Sequence, residues 1–244
     1  MKKFLSGLLV AAIWLLIWQS AAMLIGQELL LPTPLSVLNR LARLCTEAAF
    51  WQSAALSLWR ILLGYLMGLA LGLILGITTA FCPALRRFFS PLLAIIRATP
   101  VASFIILVLV WFATGAVPVF TSLLMVLGVA WGNVAEGIDS TDKKLLEVAQ
   151  VYRLPFLKKL RYFYFPSLRP YFSAAAFSSI GLAWKAGIAA EVICRPEFSI
   201  GRELYQSKIY LETPDLFAWT ALIILLSMLL EKLFVWSFKK RRRP

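Results

Sequence analysis

Lys185 and Glu191 place two opposite charges inside an otherwise small and apolar stretch, Ser178-Ser179-Ile180-Gly181-Leu182-Ala183-Trp184-Lys185-Ala186-Gly187-Ile188-Ala189-Ala190-Glu191. Burying a charge in hydrocarbon is costly, so an ionisable residue in such a stretch marks either a functional position or a structural ion pair. The two lie six residues apart, about 240° around a helix of 3.6 residues per turn, and do not meet within one straight helix. Lys185 facing a solute pathway would attract an anion, with Ser178, Ser179 and Glu191 as further candidates for its lining. Lys185 paired with Glu136 of another span would instead be structural, and the residues alone leave both readings open.

Other chemistries are excluded more firmly. Histidine is absent, so Ser178 and Ser179 have no imidazole to activate them, and no nucleophile, base and orienting group occur at motif spacing. Cys45, Cys82 and Cys194 are isolated and lack metal-ligand spacing. Nothing matches the G-x-x-x-x-G-K-[ST] phosphate loop. The chain is expected to be non-catalytic, with no metal and no cofactor of its own.

The elements that must position these residues are membrane helices. Apolar residues make up 61% of 244 positions, against roughly 45 to 50% in soluble domains, and mean hydropathy is strongly positive. A span needs about 20 predominantly apolar residues. Six stretches qualify, about 5 to 25, 57 to 81, 91 to 112, 118 to 138, 171 to 193 and 216 to 238. The expectation is an all-α polytopic membrane protein forming one domain over residues 1 to 244. Gly64, Gly68, Gly72 and Gly76 recur every fourth residue, a small face that lets another helix backbone approach closely.

The net charge of +13 reflects topology rather than nucleic-acid binding, because the basic residues flank apolar runs. Lys2, Lys3, Arg86, Arg87, seven basic residues between Asp139 and Pro170, and the tail Lys239 to Arg243 fall on one side. The positive-inside rule makes that side cytoplasmic, with both termini inside. Met1-Lys2-Lys3 followed by an apolar run and Ser20, Ala21 and Ala22 also fits a secretory signal; Trp14, Trp18 and the length of the run favour a retained helix. The basic tail reads as a stop-transfer anchor, with anionic lipid as an alternative partner.

Outside, residues 26 to 56 contain Leu31-Pro32-Thr33-Pro34 and a partly amphipathic stretch from Leu35 to Phe50 that would lie along the membrane surface. Residues 194 to 215 mix charges with Phe198, Tyr205 and Tyr210, which suits a transient protein contact or an ordinary surface helix. Inside, in the loop of residues 139 to 170, Thr141 and Asp142 are N-cap candidates. They precede Leu145, Val148, Ala149 and Tyr152 at helical spacing. Pro155 would open a second short helix with Phe156, Leu157, Leu160 and Phe163 or Tyr164 as its apolar face. Such a pair either pads the bilayer surface or docks a partner.

Glu147-Val148-Ala149 followed by Phe165-Pro166-Ser167-Leu168-Arg169-Pro170 resembles the EAA loop in permease subunits of bacterial binding-protein-dependent ABC importers. The nitrate, sulfonate and taurine group is the nearest likeness. Leu31-Pro32-Thr33-Pro34, Ser57 with Arg60 and Gly64, Arg97-Ala98-Thr99-Pro100, Trp111-Phe112, Gly115, Trp184, Ala190 and Glu191 match that group in order and spacing over nearly the whole chain.

The resemblance implies a permease homodimer in the bacterial inner membrane, importing a small solute such as a sulfonate or nitrate. A separate ABC ATPase would hold ATP and Mg, and an extracytoplasmic substrate-binding protein would deliver the solute. It also implies that the loop seats in the ATPase, with Glu147 orienting it and Leu146, Ala149 and Val151 packing. Pro166 closes the motif. The family usually has Gly six residues after its Glu, where Arg153 stands here. A left-handed residue other than Gly costs about 1 kcal/mol or more, which would shift the turn toward Leu154-Pro155. The alternative function is an ATP-independent secondary transporter or channel.

Overall fold

The computed structural model describes the backbone of residues 2–240 and the side chains of residues 6, 7 and 9–236. The flanking charges of Lys2, Lys3 and Lys239 to Arg243 lie outside the described residues. Among the described residues the architecture is entirely helical: α1 (Lys2–Ile25), α2 (Pro34–Leu44), α3 (Ala48–Phe81), α4 (Pro83–Ala98), α5 (Val101–Val108), α6 (Val117–Asp139), α7 (Lys143–Val151), α8 (Phe156–Lys159), a π turn (Leu160–Tyr164), α9 (Phe165–Cys194), α10 (Ile200–Ile209) and α11 (Thr213–Lys240). Four helices are long and apolar enough to cross a membrane: α3, α6, the continuous run Phe156–Cys194, and α11 to Trp236. The pair α4 and α5 makes a fifth if counted as one span. The described apolar part of α1 is Leu9–Ile25.

The glycine repeat sets the centre of the bundle. A Cβ at Gly64 would meet Val119 and Ser122, at Gly68 Leu123 and Val126, at Gly72 Ala130 and Trp131, and at Gly76 Val134 and Trp131. α3 therefore lies backbone to backbone along α6, which removes the space that side chains would need. α9 packs against both helices, with Gly137 of α6 meeting Tyr171 and Gly187 of α9 meeting Ile61 of α3 and Ser122 of α6. Several polar groups at this centre are paired, as the low-dielectric interior favours. Tyr65 donates to Ala176 O at 2.8 Å, Trp131 Nε1 to Thr79 Oγ1 at 2.9 Å, Ser122 to Ala183 O at 3.1 Å and Trp184 Nε1 to Ile223 O at 3.2 Å.

Four boundaries differ from the sequence expectation. The segment from 91 to 112 is not a straight span: α4 and α5 meet at a 106° bend. Pro100 cannot donate to the ladder and forces Thr99 into an extended conformation, with ψ 126°. The helix expected from 57 to 81 begins at Ala48 instead, because Ser53 and Ser57, polar in sequence, are buried against neighbours. Pro34 and the Thr33 cap, which accepts from the Ser36 amide at 3.2 Å, start α2 as a separate surface helix.

The loop expected to extend to Pro170 ends much earlier. From Phe156 the chain runs as one 39-residue helix to Cys194. The π turn, where Phe165 N–H bonds Leu160 O, widens the ladder just before Pro166. The fourth difference is the turn after α7. It does not shift to Leu154-Pro155: Arg153 itself is left-handed, with φ 50°. The Arg153 amide donates to Gln150 O at 2.9 Å and the Leu154 amide to Ala149 O at 3.0 Å. These two bonds close a Schellman cap with arginine in the position that glycine usually fills.

Candidate functional site

Three sites emerge, one at each end of the bundle and one between α3, α4 and α6. At the α7 end, Asp142 caps the helix by accepting from the Lys144 amide at 2.9 Å, and the Schellman turn closes its other end. Ala149 is fully buried and Leu146 half-buried, so these two anchor α7 to its own chain. Ala149 is therefore closed to a partner, while Leu146 keeps part of its surface open. The outward face carries Leu145, Val148, Val151 at 80% exposure and Tyr152 at 74%, continued by Phe156 and Leu157. Glu147 is exposed and forms no hydrogen bond or ion pair among the described residues. Pro166 is likewise exposed. The Phe81 ring stands edge-on to Phe156 and Tyr164, centroids 5.6 and 5.0 Å away, which ties the end of α3 to this corner.

At the opposite, α10 end, a buried polar knot joins α3, α9 and α10. Ser57 Oγ donates to Glu191 Oε2 at 2.7 Å and accepts the Ile200 amide at 3.0 Å. The Gly201 amide also reaches Glu191 Oε2, at 3.3 Å. Arg60 lies 3.7 Å from Glu191 Oε1 and donates to Phe198 O at 3.1 Å and Glu197 O at 3.0 Å. Glu191 is completely buried. Glu191 thus pairs with Arg60 on α3 and sits beneath the α9–α10 turn, where Arg195 and Phe198 are left-handed.

Beside this knot an open cavity of about 640 Å³ is lined by Arg40, Glu47, Glu203 and Asp215 among others. Arg40 grips Asp215 at 2.5 and 2.7 Å, and that bond raises its pKa. Burial pushes the Glu203 carboxyl above the usual carboxylate range, with Glu47 adding to the effect and Arg202 opposing it.

The four pathway candidates separate. Ser178 and Lys185 share an exposed face of α9 with Leu182 and Ala189, whereas Ser179 and Glu191 are turned inward. Lys185 has no ion pair among the described residues, and Glu136 is not its partner. Gly137 meets α9 at Tyr171, fourteen residues before Lys185, or about 21 Å of helix.

The third site went unread in the sequence. A cavity of about 310 Å³ between α3, α4 and α6 is lined by Arg97, Trp131 and Glu136 among others. Arg97, in the last turn of α4, donates to Gly128 O through Nε at 3.3 Å and Nη2 at 3.0 Å. A Cβ at Gly132 would land on its guanidinium. The sequence signal was the Gly128 and Gly132 pair spaced by four on α6, a docking groove for an arginine rather than for a helix. Arg86 and Asp139, which counted only as flanking charges, pair at 2.7 Å and line the same cavity.

Comparison with known proteins agrees with this architecture. The chain is 26% identical over 219 residues, 88% of its length and 78% of the relative's, to a permease protein of Bacillus subtilis (strain 168) named for aliphatic sulfonates transport. It is 25% identical over 243 residues, 96% of its length and 86% of the relative's, to the taurine transport system permease protein of Escherichia coli (strain K12). It is 27% identical over 204 residues, 79% of its length and 73% of the relative's, to the nitrate import permease protein of Synechococcus elongatus. With residues 68–242 matching the family model, this chain belongs to the family described as the binding-protein-dependent transport system inner membrane component.

Proposed function

We propose that the chain is the transmembrane subunit of an ATP-driven importer and that α7 receives force from a separate ATPase on the cytoplasmic side. The observation that carries this reading is the outward face of α7, where Leu145, Val148, Val151 and Tyr152 are exposed on a helix capped at both ends. An apolar face on a rigid, anchored helix suits a groove on a partner protein. The helix is also geared to the pathway. After the Arg153 turn, the run Phe156–Cys194 is one continuous rod, about 58 Å long, so a displacement of α7 reaches the Ser178 and Lys185 face as a rigid-body motion.

In this reading the termini are cytoplasmic, ATP and Mg are held by the partner ATPase, and no cofactor is bound to this chain. Two copies build the pathway, with the α9 face bearing Ser178 and Lys185 toward it. The α10 end, with its charged cavity, receives a solute-loaded binding protein. The solute is small and carries an anionic group, as the sulfonate, taurine and nitrate relatives suggest.

The test is copurification from the native membrane. The wild-type chain is expected to bring down an ATPase in detergent, and Val151→Glu with Tyr152→Glu to lose it while eluting at the wild-type position in gel filtration. Solute uptake driven by an ion gradient in liposomes containing this chain and no ATPase would overturn the proposal.

A further inference from the structure

We propose that the cavity between α3, α4 and α6 is a solute site within a single chain, and that it takes a small zwitterion. Arg97 holds the anionic group and Glu136 the ammonium group. This deepens the importer reading and rests on it for its biological sense, although the binding itself does not depend on an ATPase.

Pro100 ends α4 within three residues of Arg97, so the side chain leaves the last turn toward α6 rather than along its own helix. Gly128 and Gly132 have no side chains to obstruct it, and the guanidinium settles against them. Two of its N–H groups serve the Gly128 carbonyl. A guanidinium has five, so three remain for a ligand. Arg97 has no carboxylate partner among the described residues.

Glu136 lines the same cavity. It stands four residues beyond Gly132, one turn further along α6 and about 6 Å away along the axis. Its carboxylate forms no hydrogen bond or ion pair among the described residues. A cation and an anion thus line one open cavity without pairing with each other. The remaining charges there, Arg86 and Asp139, do neutralise each other at 2.7 Å and close the α7 end of the cavity.

That arithmetic selects the ligand. With Arg86 and Asp139 paired, the free charges are one positive and one negative, so a simple anion would gain Arg97 but face Glu136. A short aliphatic zwitterion satisfies both, and gains a charge-assisted hydrogen bond at each end. The Ser90 hydroxyl, without a hydrogen bond among the described residues, adds a donor for the oxyanion. Trp131, its Nε1 given to Thr79 and its ring almost wholly buried, forms part of the cavity floor. The volume of about 310 Å³ suits a molecule of a few heavy atoms.

The test is ligand-observed NMR titration of the purified chain in detergent with taurine and with ethanesulfonate, which lacks the amine. Taurine is expected to bind saturably and more tightly than ethanesulfonate. Glu136→Gln, an exposed position whose change leaves the fold intact, should weaken taurine by about tenfold or more and leave ethanesulfonate equal or tighter. Arg97→Gln should weaken both. The proposal is overturned if neither probe binds saturably, or if Glu136→Gln leaves the preference between the probes unchanged. ATPase copurification without taurine binding would sink this site alone, and taurine binding without an ATPase would sink the importer reading alone.

Discussion

Ser57 and Glu191, 134 residues apart in sequence, share a hydrogen bond of 2.7 Å in which the serine donates. The same serine oxygen accepts the Ile200 amide, so one hydroxyl links α3, the end of α9 and the start of α10. Arg60 lies one turn further along α3 and supplies the charge that lets a fully buried carboxylate remain there. An ion pair of this kind is costly to break from one side, because the surviving charge loses its compensation.

Ser57→Ala removes a donor to that carboxylate and the acceptor of an amide. It should lower the stability of the purified chain by about 2 kcal/mol. The control is Ser178→Ala, on the exposed face of α9, expected within about 0.5 kcal/mol of wild type. Thermal unfolding in detergent followed by gel filtration reads both. Equal melting of the two variants would show that the knot does not hold the α10 end.

Arg153 pays for its left-handed conformation, since its Cβ crowds the following carbonyl. Arg153→Gly should relieve this and raise stability by about 1 kcal/mol while keeping the Schellman bonds. Thermal unfolding is again the readout. A lower melting temperature would mean that the arginine side chain makes a compensating contact worth more than the strain.

Glu203 provides the pH dependence. Its carboxyl is pushed up, first by burial and then by Glu47, so the folded chain binds this proton more tightly than the unfolded chain. The sign follows from linkage: stability falls as pH rises between the ordinary carboxylate value and the raised one. Glu203→Gln should therefore melt above wild type at neutral pH, and the difference should shrink toward zero as pH falls below the ordinary carboxylate range. A constant difference across pH would show that the gain comes from packing and not from the proton.

Much of the fold follows from local pattern. The glycine repeat on α3 implies a close-packed neighbour whatever that neighbour is, because four missing side chains on one face leave a groove. Asp142 could be named as a cap from chemistry confined to a few adjacent residues. The EAA-like loop was legible for the same reason, and the family comparison agrees with it.

What the tertiary structure decided is where side chains point and what they meet. Only packing turned Ala149 inward and Val151 and Tyr152 outward on α7, since periodicity marks an apolar stripe without saying which part faces its own chain. Only the meeting of α3, α9 and α10 buried Glu191 against Ser57 and Arg60. Lys185 stands on an exposed face of α9 beside Ser178, Leu182 and Ala189, a placement that helix periodicity alone does not reveal. The cavity that brings Arg97 and Glu136 together depends on a bend at Pro100 and a glycine groove on α6. These features are far apart along the chain, and a local pattern cannot report a distance that only folding creates.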